Sequence, residues 1–335
     1  VKLTFLPYRL KFKEPFGTAH GMRDGTDSVF VQLEKDGHVG HGEATMPPYV
    51  KEDQNSVMEV LTVYDGSIET DQIFQLSEVQ WLATRAALTT AYYDLISKLK
   101  KIPIGELLEL DKVAGTTDRR SVITLGITEQ SGLASKLNEL PLLNSLKIKL
   151  DGLRDQQVLE FVLANDARPL LLDANQAWNS VEHALRMIDL VGADRLIGVE
   201  QPFPIDRPDL QRELTGRSAA LTFADESIQT TQDLERCKGM FGGINVKLMK
   251  CGGLDKAAAM IKRARELGLN VMLGSMSESS LGCGAMLHLK EYADVVDLDG
   301  PWLIGNDPFS GIELRDGEPS FVRSGGLGIG VTSRG

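Results

Sequence analysis

Eight short runs rich in Val, Ile and Leu recur along the second two thirds of this chain at nearly even spacing. They begin at Ser121, Ser145, Pro169, Leu196, Leu221, Ile244, Asn270 and Asp294, so successive starts lie 24, 24, 27, 25, 23, 26 and 24 residues apart. Such an interval holds one strand, one loop and one helix. The intervening segments 180–192, 231–238, 254–268 and 280–292 carry helical patterns, and Gly268 follows Arg265-Glu266-Leu267 as a C-terminal stop. Successive β-α units imply a parallel sheet with right-handed crossovers. An open doubly wound sheet is the alternative; seven or eight units in a row favour a closed (β/α) barrel.

The first ~110 residues read differently. Residues 28–34 alternate, with Val29, Val31 and Leu33 on one face of a half-buried strand. Lys35-Asp36-Gly37-His38 is a turn signal, and 39–44 reads as the partner strand. From 76 to 99 the apolar residues, among them Trp81, Leu82, Ala86, Leu88, Tyr92, Leu95 and Leu99, fall at helical spacing. The stretch is an α+β unit. From Pro308 onward the chain returns to turn-rich strand patterns at 311–317 and 319–323, expected to pack back on the first unit. The glycine-rich 325–330 departs from G-x-G-x-x-G and precedes no helix, so it reads as a terminal loop. The division expected is 1–115, 116–307 and 308–335.

Among 335 residues, 36 Lys+Arg against 47 Asp+Glu leave a net charge of −11. That balance disfavours nucleic-acid and anionic-membrane partners. No apolar run approaches a bilayer span, and residues 1–6 are too short and too quickly charged for a signal peptide. The chain starts at Val1 without an initiator Met, so a few residues are expected to precede it. Cys237, Cys251 and Cys283 are odd in number and widely separated, which reads as reduced thiols in a cytoplasmic protein. A homo-oligomer stays open.

In a parallel barrel the active site lies at the C-terminal ends of the strands. The polar residues there are Lys147 and Lys149 on the second run, Asp173 and Asn175 after the third, and Glu200-Gln201 after the fourth. Asp225-Glu226-Ser227 follows the fifth. Lys247 ends the sixth, Ser275-Met276-Ser277-Glu278 the seventh, and Asp297-Leu298-Asp299 the eighth. A carboxylate after a strand is usually a turn residue or a helix cap. Three consecutive strands ending in Asp173, Glu200 and Asp225, with lysines on both sides, are harder to read that way. Carboxylates without His or Cys suit a hard cation, Mg²⁺ or Mn²⁺. Lys147 and Lys149, two apart on a strand, share a side.

The series Lys147-x-Lys149, Asp173-x-Asn175, Glu200-Gln201-Pro202, Asp225-Glu226-Ser227 and Asn245-Val246-Lys247 resembles the enolase superfamily, muconate-lactonising subgroup. Asp297-x-Asp299 within it resembles the dipeptide epimerases. Residues 15–21 look like that family's mobile loop, and Gly42-Glu43-Ala44 like its second-strand signature. The resemblance implies an α/β fold: a modified (β/α)7β TIM barrel with an α+β capping domain built from the N-terminal region and the C-terminal tail. It implies proton abstraction next to a carboxylate held on Mg²⁺ by Asp173, Glu200 and Asp225. Lys149 would be the acid/base on one face, Lys247 on the other, and Lys147 an electrostatic aid; two opposed lysines give inversion. A neutral lysine base needs cationic neighbours to lower its pKa. Lys250 and His41 read as structural.

Asp297 and Asp299 would take the ammonium of a small dipeptide substrate. Loop 16–25, with Thr18, His20, Met22 and Arg23, is expected to close over the side chain beside Ser275 and Met276. Arg23 would favour Glu there; Phe16, Met22 and Met276 would form an apolar pocket, and the balance leans towards apolar or mixed. The alternatives are o-succinylbenzoate synthesis, N-acylamino-acid racemisation or muconate cycloisomerisation on the same scaffold. A binding protein that has lost the chemistry is the alternative from another class.

Overall fold

The alternation of Val29, Val31 and Leu33 builds the middle strand of a three-stranded antiparallel sheet. Its strands are β1 (Lys2–Thr18), β2 (Gly21–Lys35) and β3 (His38–Met46), in the order β1-β2-β3. The structure is a computed structural model that describes residues 1–18, 21–47, 50–76, 80–110, 119–323 and 326–334, with Thr18 and Gln130 described by backbone alone. The boundary expected at residue 115 lies outside the described residues.

Helices α1 (Gln54–Thr62), α2 (Thr70–Gln75), α3 (Leu82–Lys100) and α4 (Ile104–Leu107) follow the sheet. The expected helix over 76–99 begins later, at Leu82. Glu52 sets that start: its carboxylate accepts the N–H groups of Ala83 (2.6 Å) and Thr84 (2.9 Å) at the positive end of the helix. The face of α3 carrying Ala83, Ala87 and Ala91 lies directly on β3. A Cβ on Gly42 would stand 1.9 Å from the Ala87 carbonyl oxygen, so only glycine permits this approach.

The expected loop over 16–25 is instead the far end of the β1–β2 hairpin. Phe16 pairs with Arg23, Gly17 with Met22 and Thr18 with Gly21, past an irregularity between Lys11 and Phe16. Gly21, at φ 115°, begins the return strand. His20 lies outside the described residues, and so does the Thr18 side chain.

The repeat folds as a closed barrel of eight parallel strands. In chain order these are β4 (Arg120–Leu125), α5 (Leu133–Glu139), β5 (Ser145–Lys149), α6 (Asp155–Asn165), β6 (Leu170–Asp173), α7 (Val181–Val191), β7 (Leu196–Glu200) and α8 (Pro208–Arg217). The series continues with β8 (Thr222–Ala224), α9 (Leu234–Cys237), β9 (Gly243–Val246), α10 (Leu248–Cys251), α11 (Leu254–Glu266), β10 (Asn270–Gly274), α12 (Ser280–Leu287), β11 (Val295–Asp297) and α13 (Gly300–Leu303). The helical segments expected over 231–238 and 280–292 are shorter, each joined to a 3-10 turn. Around the ring the strands run β10-β11-β4-β5-β6-β7-β8-β9.

Val122, Leu171, Phe223, Met272 and Val295 fill one layer of the barrel interior. Side chains two residues on along a strand point the same way. Thr124, Asp173, Asp225 and Asp297 therefore stand one layer above that floor, at the mouth.

The tail forms a hairpin of β13 (Ile312–Arg315) and β14 (Glu318–Phe321), flanked by β12 (Phe309–Ser310) pairing with β15 (Thr332–Ser333). It reaches α3, where Gly328 N–H donates to Ser97 Oγ and Ile329 N–H to Asp94 Oδ1, each at 2.8 Å. Among the described residues no helix is long and apolar enough to cross a membrane.

Candidate active site

A cavity of about 330 Å³ opens at the C-terminal mouth of the barrel beneath the β1–β2 hairpin. Lys147, Lys149, Asp225, Lys247, Ser275, Met276, Asp297 and Asp299 line it, together with Arg23 from the hairpin. Asp173 and Glu200 lie fully buried at its base, in contact with those lysines.

Lys147 Nζ lies 2.9 Å from Asp173 Oδ2, 2.7 Å from Glu200 Oε2 and 2.7 Å from Asp297 Oδ2. Burial would lower its pKa, but these three carboxylates outweigh burial and hold it well above the usual lysine value. Lys149 Nζ donates to Asp173 Oδ2 (2.6 Å) and Asn175 Oδ1 (2.9 Å), and Asn175 Nδ2 leans on Glu226 Oε1 at 3.4 Å. Across the cavity Lys247 Nζ donates to Asp225 Oδ2 at 2.7 Å. Lys250 Nζ takes Asp225 Oδ1 (2.5 Å), the Asp225 carbonyl (2.7 Å) and the Asn245 carbonyl (3.0 Å). Lys250, read as structural, thus fixes the orientation of Asp225.

The three strand-end carboxylates differ in ionisation. Burial would raise Asp173, yet Lys147 and Lys149 overcome it and hold the group far below the ordinary aspartate value; Lys247 and Lys250 do the same for Asp225. Burial, with Asp173 as neighbour, pushes Glu200 up to about 8. Glu200 Oε1 accepts Asn245 Nδ2 at 2.7 Å, whereas Oε2 receives no hydrogen bond, although Lys147 stands beside it as an ion pair. Among the described residues, no three His, Cys, Asp or Glu side chains are gathered as they stand to share one ion, because lysine ammonium groups lie between the carboxylates. The donor set is all oxygen and buried, and one of its carboxylate oxygens receives no hydrogen bond. Those properties fit a hard divalent cation.

Asp297 and Asp299 close the opposite side. Asp299 Oδ2 accepts the Thr124 N–H at 2.8 Å, and the Thr124 hydroxyl reaches Asp297 Oδ1 at 3.5 Å. Burial, with repulsion from Asp297, raises Asp299 to about 6. Sequence reasoning missed Thr124; its signal was a polar residue two positions beyond the inward Val122. It quoted Gln201 within a motif but gave it no role; Gln201 Oε1 accepts the N–H groups of Asp225 and Ser227, both at 3.0 Å, and so fixes the end of β8 from the end of β7. Asn175, Gln176, Gln201 and Ser277 adopt positive φ (41°, 70°, 35° and 66°), so backbone strain gathers where the strands meet the cavity. His41 lies outside the cavity, its ring 3.6 Å from Asp94.

Residues 137–332 match the family described as Enolase C-terminal domain-like, and residues 1–109 match Mandelate racemase / muconate lactonizing enzyme, N-terminal domain. An L-Ala-D/L-Glu epimerase of Bacteroides thetaiotaomicron is 36% identical, the alignment covering 98% of this chain and 88% of the relative. An L-Ala-D/L-amino acid epimerase of Flavobacterium johnsoniae is 32% identical over 98% of this chain and 99% of its own. Among solved structures, a dipeptide epimerase from Enterococcus faecalis, complexed with Mg and the dipeptide L-Leu-L-Tyr, superposes with a TM-score of 0.85. It is 27% identical, with 99% of each chain covered.

Proposed function

The chain belongs to the mandelate racemase/muconate lactonizing enzyme family of the enolase superfamily, and from that membership we propose that it is a Mg²⁺-dependent dipeptide epimerase. It inverts the α-carbon of the C-terminal residue of an Ala-Xaa dipeptide. The observation that carries this reading is the ring order of the strands. β5 with Lys149 and β9 with Lys247 are four strands apart in a ring of eight, hence opposite one another. Between them on one side run β6, β7 and β8, which bear Asp173, Glu200 and Asp225; on the other side stands β11, with Asp297 and Asp299 at its end. A substrate stretched from the carboxylate trio to the acidic pair presents one face of its α-carbon to each lysine.

Asp173, Glu200 and Asp225 would hold a divalent cation, which would supply positive charge at the substrate carboxylate, where negative charge gathers as the α-proton leaves. Lys149 removes or returns that proton on one face, and Lys247 does so on the other. Lys147, kept charged by its carboxylates, offsets charge at the same end. Asp297 and Asp299 receive the substrate ammonium, and an N-acylated substrate would leave the pair without that partner. Phe16, Val50, Leu82 and Met276 line the cavity alongside Arg23 and Lys51. That wall supports a mixed side-chain preference, apolar and acidic. Cys237, Cys251 and Cys283 are buried free thiols, which supports a reducing, cytoplasmic setting.

The test is solvent deuterium exchange at the α-carbon of Ala-Xaa dipeptides, screened over both epimers and all side chains. Exchange should require Mg²⁺. Lys149→Ala and Lys247→Ala should each abolish exchange from the epimer that its lysine deprotonates. Absence of exchange across the whole library would overturn the reading.

A further inference from the structure

Lys147 touches both ends of the cavity. Its ammonium group, on a side chain 2% exposed, stands 2.9 Å from Asp173 and 2.7 Å from Glu200 on the carboxylate-trio side, and 2.7 Å from Asp297 on the acidic-pair side. Of these contacts only the one to Asp297 has hydrogen-bond geometry. Lys149 pairs with Asp173 alone. Asp299 is held by a neutral donor, the Thr124 N–H, whereas Asp297 is paired with a charged one, the Lys147 ammonium.

Accepting the dipeptide reading above, we propose that Lys147 couples the two ends of the substrate site by changing partners. A ligand ammonium alone must displace a buried lysine from Asp297, its one contact with hydrogen-bond geometry, and offers that lysine nothing in exchange. A ligand carboxylate alone must draw Lys147 away and leaves Asp297 and Asp299 buried without a cation. Losing a buried charge pair is costly in either case. A ligand carrying both ends exchanges the pairs: its carboxylate takes Lys147 as its ammonium takes Asp297. The total of buried charge pairs is conserved, so the two ends of the ligand bind together more strongly than they bind singly. The cavity thereby selects a short zwitterion through one side chain.

Calorimetry at saturating Mg²⁺ with four ligands tests this: L-Ala-Gly, propionyl-Gly, L-Ala-glycinamide and propionyl-glycinamide. The glycine α-carbon is not stereogenic, so binding is measured free of epimerisation. In the unaltered protein, adding the amine should improve the acid's affinity at least about fivefold more than it improves the amide's. In Lys147→Met that ratio should fall to about one, because the side chain keeps its length and loses its charge. Asp297→Asn, which removes the partner instead, should give the same collapse and serves if Lys147→Met does not fold. Equal gains in the unaltered protein, or a ratio that survives either variant, would overturn the coupling while leaving dipeptide binding intact. Failure of L-Ala-Gly and every other dipeptide to bind would overturn the proposed function itself.

Discussion

Replacing Glu278 by Gln isolates a single buried carboxyl at the seam between the three-stranded sheet and the barrel. Glu278 follows β10 and is 1% exposed. Its Oε2 accepts the Met276 N–H, and its Oε1 has no partner. Facing it is Glu43 of β3, whose carboxylate accepts the Thr45 hydroxyl (2.7 Å), the Ser279 N–H (3.0 Å) and hydroxyl (2.5 Å), and the Gly282 N–H (3.0 Å). Burial, followed by repulsion from Glu43, raises Glu278 from 4.5 to about 8. At neutral pH the folded protein thus keeps a proton here that the unfolded chain has lost. Between pH 4.5 and about 8 the folded state binds more protons than the unfolded one, so stability falls as pH rises. The loss is about 1.4 kcal/mol per pH unit, on the order of 5 kcal/mol over the interval. Glutamine carries no charge at any of these pH values. Urea unfolding of both proteins in EDTA, between about pH 5 and pH 8, reads the difference. The advantage of Glu278→Gln over the parent should grow by roughly 1 kcal/mol per pH unit, since Glu278 is the titrating group that the substitution removes. Stability curves that run parallel across that range would refute the reasoning.

Two other substitutions test the frame and the ion site. Gly42→Ala sets a methyl group 1.9 Å from the Ala87 carbonyl oxygen, so α3 must lift from β3. The expected loss is about 3 kcal/mol, read as a lowered midpoint in thermal or urea unfolding. Gln201→Ala removes the acceptor shared by the Asp225 and Ser227 N–H groups. Asp225 would then be less well oriented, and Mg²⁺ should bind roughly tenfold more weakly by calorimetry, with the fold retained by circular dichroism. An unchanged Mg²⁺ affinity would remove Gln201 from the account of the site.

The barrel was legible because two periodicities coincide in it. The spacing of about 25 residues marked each β-α unit, and period-2 alternation within each strand carried a floor residue such as Leu171 or Phe223 to its polar partner Asp173 or Asp225. Thr124 obeys the same rule above Val122, yet a lone Thr within an apolar run does not declare which way it faces until the ring is closed. β1 carried a weaker signal for a different reason. It contains Pro7 and Pro15, which argue against a strand, but as the edge strand of its sheet it tolerates them. Its outer end, read as part of a loop, extends the hairpin because Gly21 can take the positive φ of the return. The β13–β14 turn was legible, since Asp316-Gly317 supplies two positive-φ residues, at 54° and 78°.

The side-chain preference was less legible than the chemistry because the two are built by different kinds of contact. Lys149, Asp173, Glu200, Asp225 and Lys247 ride on strands whose register is set within the barrel, by neighbours about 25 residues away. Phe16, Arg23, Val50 and Lys51 reach the cavity from the other sheet and the segment after it. Their position depends on contacts remote in sequence. Ile127 N–H donates to the Gly17 carbonyl at 2.9 Å, Lys136 Nζ to the Pro15 carbonyl at 3.4 Å, and Phe12 bridges to Ile304. A change in any of these should shift the hairpin over the mouth and leave the opposed lysines, held within the barrel, where they are. Substitutions along the hairpin and its footings should therefore alter which C-terminal side chain is accepted, seen as changes in relative kcat/KM among dipeptides, while substitutions at the strand ends should alter the turnover of all of them alike.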